Sequence, residues 1–177
     1  MELVATPVHG AYLVQPTPRS DERGFFARVW CTDEFAARGL SAAFVQCNDS
    51  LSLRRGTLRG LHYQVAPFAE VKLIRCVRGA VFDAIVDLRP ESPTYLRWAG
   101  AELTAENRTM MYVPEGCAHG YLTLVDDTEV IYPVTCAYRP DAERGVRWND
   151  PAFGIEWPHV GPITLSPKDR CWPDYVR

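Results

Sequence analysis

The 177 residues carry a net charge of −3, with 47 % hydrophobic and 23 % charged side chains, the balance of a folded globular domain and not of a disordered chain or a coiled coil. No Lys/Arg run exceeds two residues, which argues against a nucleic-acid partner, and no apolar stretch is long enough to span a membrane. The first twenty residues hold no basic segment followed by an apolar run, so the chain is expected in the cytoplasm. There its six cysteines, none closer than sixteen positions to the next, are expected as free thiols.

In chain order, one helix is predicted, over 33–39 (Asp-Glu-Phe-Ala-Ala-Arg-Gly), with Asp33 as its cap, Phe35 and Ala36 facing inward and Gly39 ending it. Residues 71–77 and 80–88 are rich in β-branched and apolar side chains, and Arg78-Gly79 between them reads as a hairpin turn. Strands over 96–103, 109–113, 119–125 and 128–138 follow at similar spacing, punctuated by Pro90, Pro93, Pro114 and Gly116. Fourteen prolines and twelve glycines beside a single helix predict an all-β double-sheet jelly roll or barrel. No repeat or linker divides it, so residues 1–177 form one domain with N- and C-terminal extensions wrapped onto it.

The strongest local pattern is Pro114-Glu115-Gly116-Cys117-Ala118-His119, a P-x-G-x-x-H that resembles the second signature of the cupin superfamily. In the register of the first signature stand Gly56, then His62-Tyr63-Gln64, then Lys72 six residues before Gly79. The positions that hold three imidazoles and a carboxylate in metal-binding cupins are therefore His62, Gln64, Lys72 and His119. An ammonium among them repels a divalent cation and an amide is a poor ligand, so no metal and no cofactor is expected. A buried ammonium stabilises an oxyanion, and a neutral His is a base near neutral pH. Together they suit proton abstraction beside a carbonyl. Period-two alternation places Val130, Tyr132 and Val134 on one strand face, and Tyr132 there is a candidate proton donor.

Several stretches together resemble the dTDP-4-dehydrorhamnose 3,5-epimerase family. They are Asp21-Glu22-Arg23-Gly24-Phe25-Phe26, Phe44-Val45-Gln46-Cys47-Asn48, Leu58-Arg59-Gly60-Leu61-His62-Tyr63-Gln64, Lys72-Leu73 with the following Gly79, Val86-Asp87-Leu88-Arg89, Val113 to Gly120, Trp148-Asn149-Asp150-Pro151 and Leu165-Ser166-Pro167-Lys168-Asp169. Order and spacing agree over roughly residues 10–172. The resemblance implies an isomerase acting on a nucleotide-diphospho-4-keto-6-deoxyhexose. It implies His62 as base, Asp169 as the carboxylate orienting it, Tyr132 as acid, and Lys72 beside the 4-keto oxygen. His119 falls at another sugar-pocket position. Arg23, Gln46, Asn48, Arg59, Glu143 and Lys168 match substrate-binding positions, several near the diphosphate, and Tyr138 matches a residue that stacks on the base. The resemblance also implies a homodimer in which the N-terminal segment of one chain completes the neighbour's site.

Arg28 departs from the pattern, standing where the family often has a Glu near the nucleotide. A guanidinium has no acceptor for a base N–H, so the sequence leaves dTDP, CDP, GDP and UDP open, with dTDP the family's choice. Arg59 has an alternative reading as a structural cation paired with Asp49 or Glu70. Tyr138 has one as core filling. Arg54, Arg55 and Arg75 read as a solvated face, and His9 and His159 as surface residues. A non-catalytic nucleotide-sugar-binding cupin and a metal-dependent cupin oxygenase are the competing classes; the His62, Asp169 and Tyr132 set opposes the first and Lys72 the second.

Overall fold

The computed structural model describes residues 1–176. In chain order these form β1 (Glu2–Ala5), β2 (Tyr12–Gln15), β3 (Arg19–Asp21), β4 (Gly24–Phe26), α1 (Thr32–Ala36), β5 (Gln46–Ser52), β6 (Leu58–Gln64), β7 (Lys72–Arg78) and β8 (Ala80–Asp87). They continue with β9 (Trp98–Thr104), β10 (Met110–Val113), β11 (Cys117–Thr123), β12 (Thr128–Val134), β13 (Glu143–Gly145) and α2 (Pro167–Arg170). One sheet runs β1-β2-β10-β7-β12-β5 and the other β13-β6-β11-β8-β9, while β3 and β4 pair only with each other. This is the expected double-sheet jelly roll.

Alternation along each strand divides its residues between two faces. Ile74 and Cys76 of β7, Met111 of β10 and Val130 of β12 meet Val81 and Ile85 of β8, Leu103 of β9 and Tyr121 of β11 in a core between the sheets. The outer faces are covered too. Leu73, Met110 and Tyr112 pack on Phe35 of α1, and Leu61, Val86 and Ala118 pack on Phe153, Trp157 and Tyr175 of the C-terminal segment. Burial on both faces explains why 71–77 and 80–88 read as near-continuous apolar runs. It is also why the two terminal segments wrap onto the sheets.

Several local expectations are corrected. Arg78-Gly79 does not close a hairpin, because β7 pairs with β10 and β12 while β8 pairs with β11 and β9. The turn carries the chain from one sheet to the other. Gly79 has φ +73°, and a Cβ there would lie 2.5 Å from Thr128 Oγ1, so this corner is packed against the start of β12. The helix spans only Thr32–Ala36; its N-cap is Cys31 without a side-chain cap bond, and Asp33 lies inside the first turn, where its charge complements the helix dipole. Phe35 is buried as expected, Ala36 is exposed, and Gly39 at φ +70° turns the chain out of the helix. The 128–138 strand stops at Val134, and α2 was not expected.

Candidate active site

His62 of β6, Lys72 of β7, His119 of β11 and Tyr132 of β12 line one cavity of about 420 Å³ between the sheets. A β-bulge aims two of its walls. His62 lies opposite His119 and Arg59 opposite Tyr121, so three steps on β6 match two on β11. Gly60 takes φ +137°, and a Cβ there would lie 2.5 Å from Gly120 Cα. The bulge breaks the alternation and lets both Arg59 and His62 face the cavity.

His62 Nε2 lies 2.5 Å from Asp169 Oδ1, which leaves Nδ1 without a partner among the described residues. Asp169 is placed by α2: Ser166 is the N-cap, and its Oγ accepts from the Asp169 N–H at 3.0 Å. The carboxylate is 4 % exposed. Burial works to raise its pKa, but the His62 hydrogen bond and charge, with Ser166 and Trp172, hold it below the ordinary carboxylate value.

Lys72 is buried, its Nζ 3.2 Å from Glu70 Oε1 and 3.2 Å from the His62 carbonyl. Glu70 therefore supplies a counter-charge that lets the ammonium remain inside the barrel. Tyr132 packs its ring against the inter-sheet core, and burial pushes its phenol up to about 12. His119 Nε2 lies 2.8 Å from Asp83 Oδ2. Asp83 is not among the site residues expected from the sequence. Its signal was a carboxylate in the middle of the 80–88 run, in alternation with Val81 and Ile85.

A smaller recess of about 110 Å³ adjoins the cavity and shares His62, Lys72 and Tyr132 with it. Gln46 donates to Asn48 Oδ1 at 2.9 Å and accepts from the Tyr138 N–H at 3.1 Å. Tyr138 donates to Glu143 Oε2 at 2.7 Å, and Lys168 Nζ binds the same oxygen. Burial opposes it, yet these two bonds hold Glu143 below the usual carboxylate range. Tyr138 is 51 % exposed, so it does not fill core. Gln64 lines the recess but spends its amide on Phe68 O, Glu70 and the Arg139 N–H.

Arg59 donates to Ser52 Oγ and to Leu51 O, both at 3.2 Å, and neither Asp49 nor Glu70 holds it. Arg23 and Arg28 are not brought to the cavity of their own chain. Arg23 is paired with Asp21 at 2.5 Å in the β3–β4 turn, its side chain 84 % exposed. Arg28 is paired with Glu34 at 3.0 Å. Arg54 and Arg55 are exposed, as are His9 and His159, while Arg75 is half-buried, with its Nε buried and without a partner among the described residues.

Comparison with known proteins sets this jelly roll among nucleotide-sugar isomerases. The family model described as dTDP-4-dehydrorhamnose 3,5-epimerase matches residues 5–176. A Sinorhizobium fredii protein of that name is 47 % identical over 91 % of this chain and 83 % of its own. The crystal structure of dTDP-4-dehydrorhamnose 3,5-epimerase from Bacillus anthracis, with TDP and pyrophosphate bound, is 43 % identical at a TM-score of 0.93, covering 98 % of this chain and 99 % of that one. A Legionella pneumophila dTDP-6-deoxy-D-glucose-3,5-epimerase in complex with dTDP-4-keto-L-rhamnose is 35 % identical at a TM-score of 0.92, covering 98 % and 92 %. The chain belongs to the dTDP-4-dehydrorhamnose 3,5-epimerase family and is an isomerase.

Proposed function

We propose that the cavity holds a dTDP-linked 4-keto-6-deoxyhexose and inverts the carbons flanking the ketone, C3 and C5, by proton removal and return. The observation that carries this reading is that His62 and Tyr132 stand on opposed sheets, β6 in one and β12 in the other, with Lys72 lining the cavity beside them. His62 takes the proton α to the ketone, and Asp169 orients the ring and stabilises the imidazolium. Lys72 offsets the negative charge that develops on the 4-oxygen. Tyr132 returns a proton from the other face, which is what inverts the centre. His119 borders the sugar. Arg59 and Lys168 contact the diphosphate, and Gln46, Asn48, Glu143 and Tyr138 hold the nucleotide end.

The relatives with TDP or dTDP-4-keto-L-rhamnose bound support thymidine as the base. In a homodimer, the β3–β4 hairpin brings Arg23, and the segment after it Arg28, to the neighbour's site. Phe25 and Phe26, 48 % and 70 % exposed, support an interface there. Solvent deuterium wash-in at C3 and C5 of dTDP-4-keto-6-deoxyglucose tests the reading. Wild type is expected to exchange both and His62→Ala neither; exchange at the wild-type rate in His62→Ala would overturn the assignment of the base. Light scattering is expected to give the mass of two chains.

A further inference from the structure

We infer that Trp172 is a positioning residue of the proton-abstracting unit, acting on His62 through Asp169; this rests on the proposed role of His62. The indole Nε1 donates to Asp169 Oδ1 at 3.3 Å, the same oxygen that His62 Nε2 meets at 2.5 Å. The indole also stands edge-on to the imidazole, with ring centroids 6.1 Å apart and planes at 64°. One side chain therefore fixes both the carboxylate and the plane of the base.

The seat of the indole is built into the strand next to His62. Gly145 of β13 is the cross-strand partner of His62, and a Cβ at 145 would lie 2.2 Å from Trp172 Cε2. Only a residue without a side chain lets the ring lie there. The following residues strap it down: Pro173 O accepts from the Arg147 N–H at 3.0 Å, and Asp174 pairs with Arg147 at 2.7 Å. Lys168 Nζ lies 5.7 Å from the centre of the indole ring, so its charge also bears on this unit.

A donor on Oδ1 and a wall against the imidazole limit the rotations of both members of the pair. Their reactive geometry is then fixed before substrate arrives, where small displacements cost rate steeply. A hydrogen bond to a charged group is worth roughly tenfold or more, and one of 3.3 Å stands at the weak end. Trp172→Phe keeps the ring and deletes the donor, and Gly145→Ala keeps the donor and displaces the ring. Each is expected to slow deuterium wash-in at saturating substrate by about five- to tenfold, with dTDP affinity changed by about twofold or less in Trp172→Phe, which keeps an aromatic ring beside Lys168.

The decisive comparison is a double-mutant cycle. In an Asp169→Asn background, Trp172→Phe is expected to cost little further, since its effect runs through that carboxylate; the same fold-loss as in wild type would overturn the proposal. So would wash-in unchanged in both single variants. A second measurement needs no turnover. The indole N–H signal that disappears in Trp172→Phe is expected to move in Asp169→Asn, and a stationary signal would refute the contact. If the wild-type protein exchanged neither carbon, the role of His62 would fail while this signal still decided the contact.

Discussion

His119 Nε2 meets Asp83 Oδ2 at 2.8 Å, and the other carboxylate oxygen of Asp83 is buried with no partner among the described residues. The two residues sit on the same inward face of neighbouring strands, because Asp83 lies opposite Tyr121 and His119 is two residues away. Among the described residues the barrel thus holds two His–Asp pairs, His62 with Asp169 and His119 with Asp83. Burial pushes the Asp83 carboxyl above its ordinary value, opposed by the His119 charge and hydrogen bond. A raised folded value means that the folded chain keeps this proton after the unfolded chain has lost it. Asp83 therefore costs stability as pH rises from about 4 through its folded titration. Asp83→Asn removes that cost and keeps a polar partner for Nε2. It is expected to remain within about 1 kcal/mol of wild type at pH 7, whereas Asp83→Ala strands the imidazole and loses about 1–3 kcal/mol. Urea unfolding of the three proteins at pH 5 and pH 8 checks both; Asp83→Ala as stable as wild type would count against the pair.

Asp87 shows the opposite sign. It is fully buried at the end of β8, and burial alone would raise it. Arg89 donates to both its oxygens at 2.8 Å, and the Ser92 and Thr94 hydroxyls donate at 2.5 and 2.7 Å. These hold it at about 2. The stabilisation is present above the unfolded value near 4 and is lost as pH falls through about 2. Arg89 also reaches the His9 carbonyl at 2.6 Å, so the cluster ties the N-terminal loop to the second sheet. Asp87→Asn is expected to cost about 2 kcal/mol at pH 7. That difference from wild type should shrink as the acid limb is descended, read from denaturation midpoints at pH 7 and near pH 2.

The contrast between these two aspartates shows what the sequence could carry. Val86-Asp87-Leu88-Arg89 was visible as part of the family pattern, but nothing in a run of residues distinguishes a structural clamp from a substrate contact. The distinction lies in Ser92 and Thr94 folding back over Asp87. His62, Lys72 and His119 were legible from motif spacing and Tyr132 from strand alternation, while the bulge that turns His62 inward beside Arg59 was not. Asp83 and Glu70 were not, since a carboxylate acquires meaning only from what a neighbouring strand sets beside it. The Arg78-Gly79 turn failed for a related reason: local turn chemistry is the same whether the chain reverses within a sheet or crosses to the other one. Arg23 and Arg28 follow from register in the family pattern alone, and within one chain their partners are Asp21 and Glu34.

Lys72 and Glu70 form a pair whose side chains are 8 % and 11 % exposed, and removing one member leaves a charge with little water. Lys72→Met is expected to lose about 3 kcal/mol of stability and to slow wash-in by on the order of 10²-fold, the loss of an oxyanion partner. The double variant Lys72→Met/Glu70→Gln separates the two effects. It should regain most of the stability, because no buried charge is left alone, and should regain none of the rate. Thermal denaturation and wash-in run on the same samples check this. Recovery of both together would mean that Lys72 acts only through folding.

Tyr132 gives the sharpest separation of steps. Its ring packs on the inter-sheet core, and burial raises the phenol to about 12, so it remains a protonated donor through neutral and moderately alkaline pH. Tyr132→Phe keeps the packing and deletes only the hydroxyl. If His62 removes the proton and Tyr132 returns it from the other sheet, the variant should still form the enolate and let His62 hand back a deuteron on the original face. Wash-in with retained configuration is then expected at a rate within about tenfold of wild type. Net inversion should fall by roughly 10²- to 10⁴-fold, the range for losing a positioned general acid. The wild-type inversion rate should show no loss from Tyr132 ionisation below about pH 10, because the raised value keeps the proton in place. Following deuterium content and stereochemistry in one NMR time course measures both quantities. Inversion at the wild-type rate in Tyr132→Phe would assign the proton to another group, and loss of wash-in in step with inversion would place Tyr132 in proton removal instead of proton return.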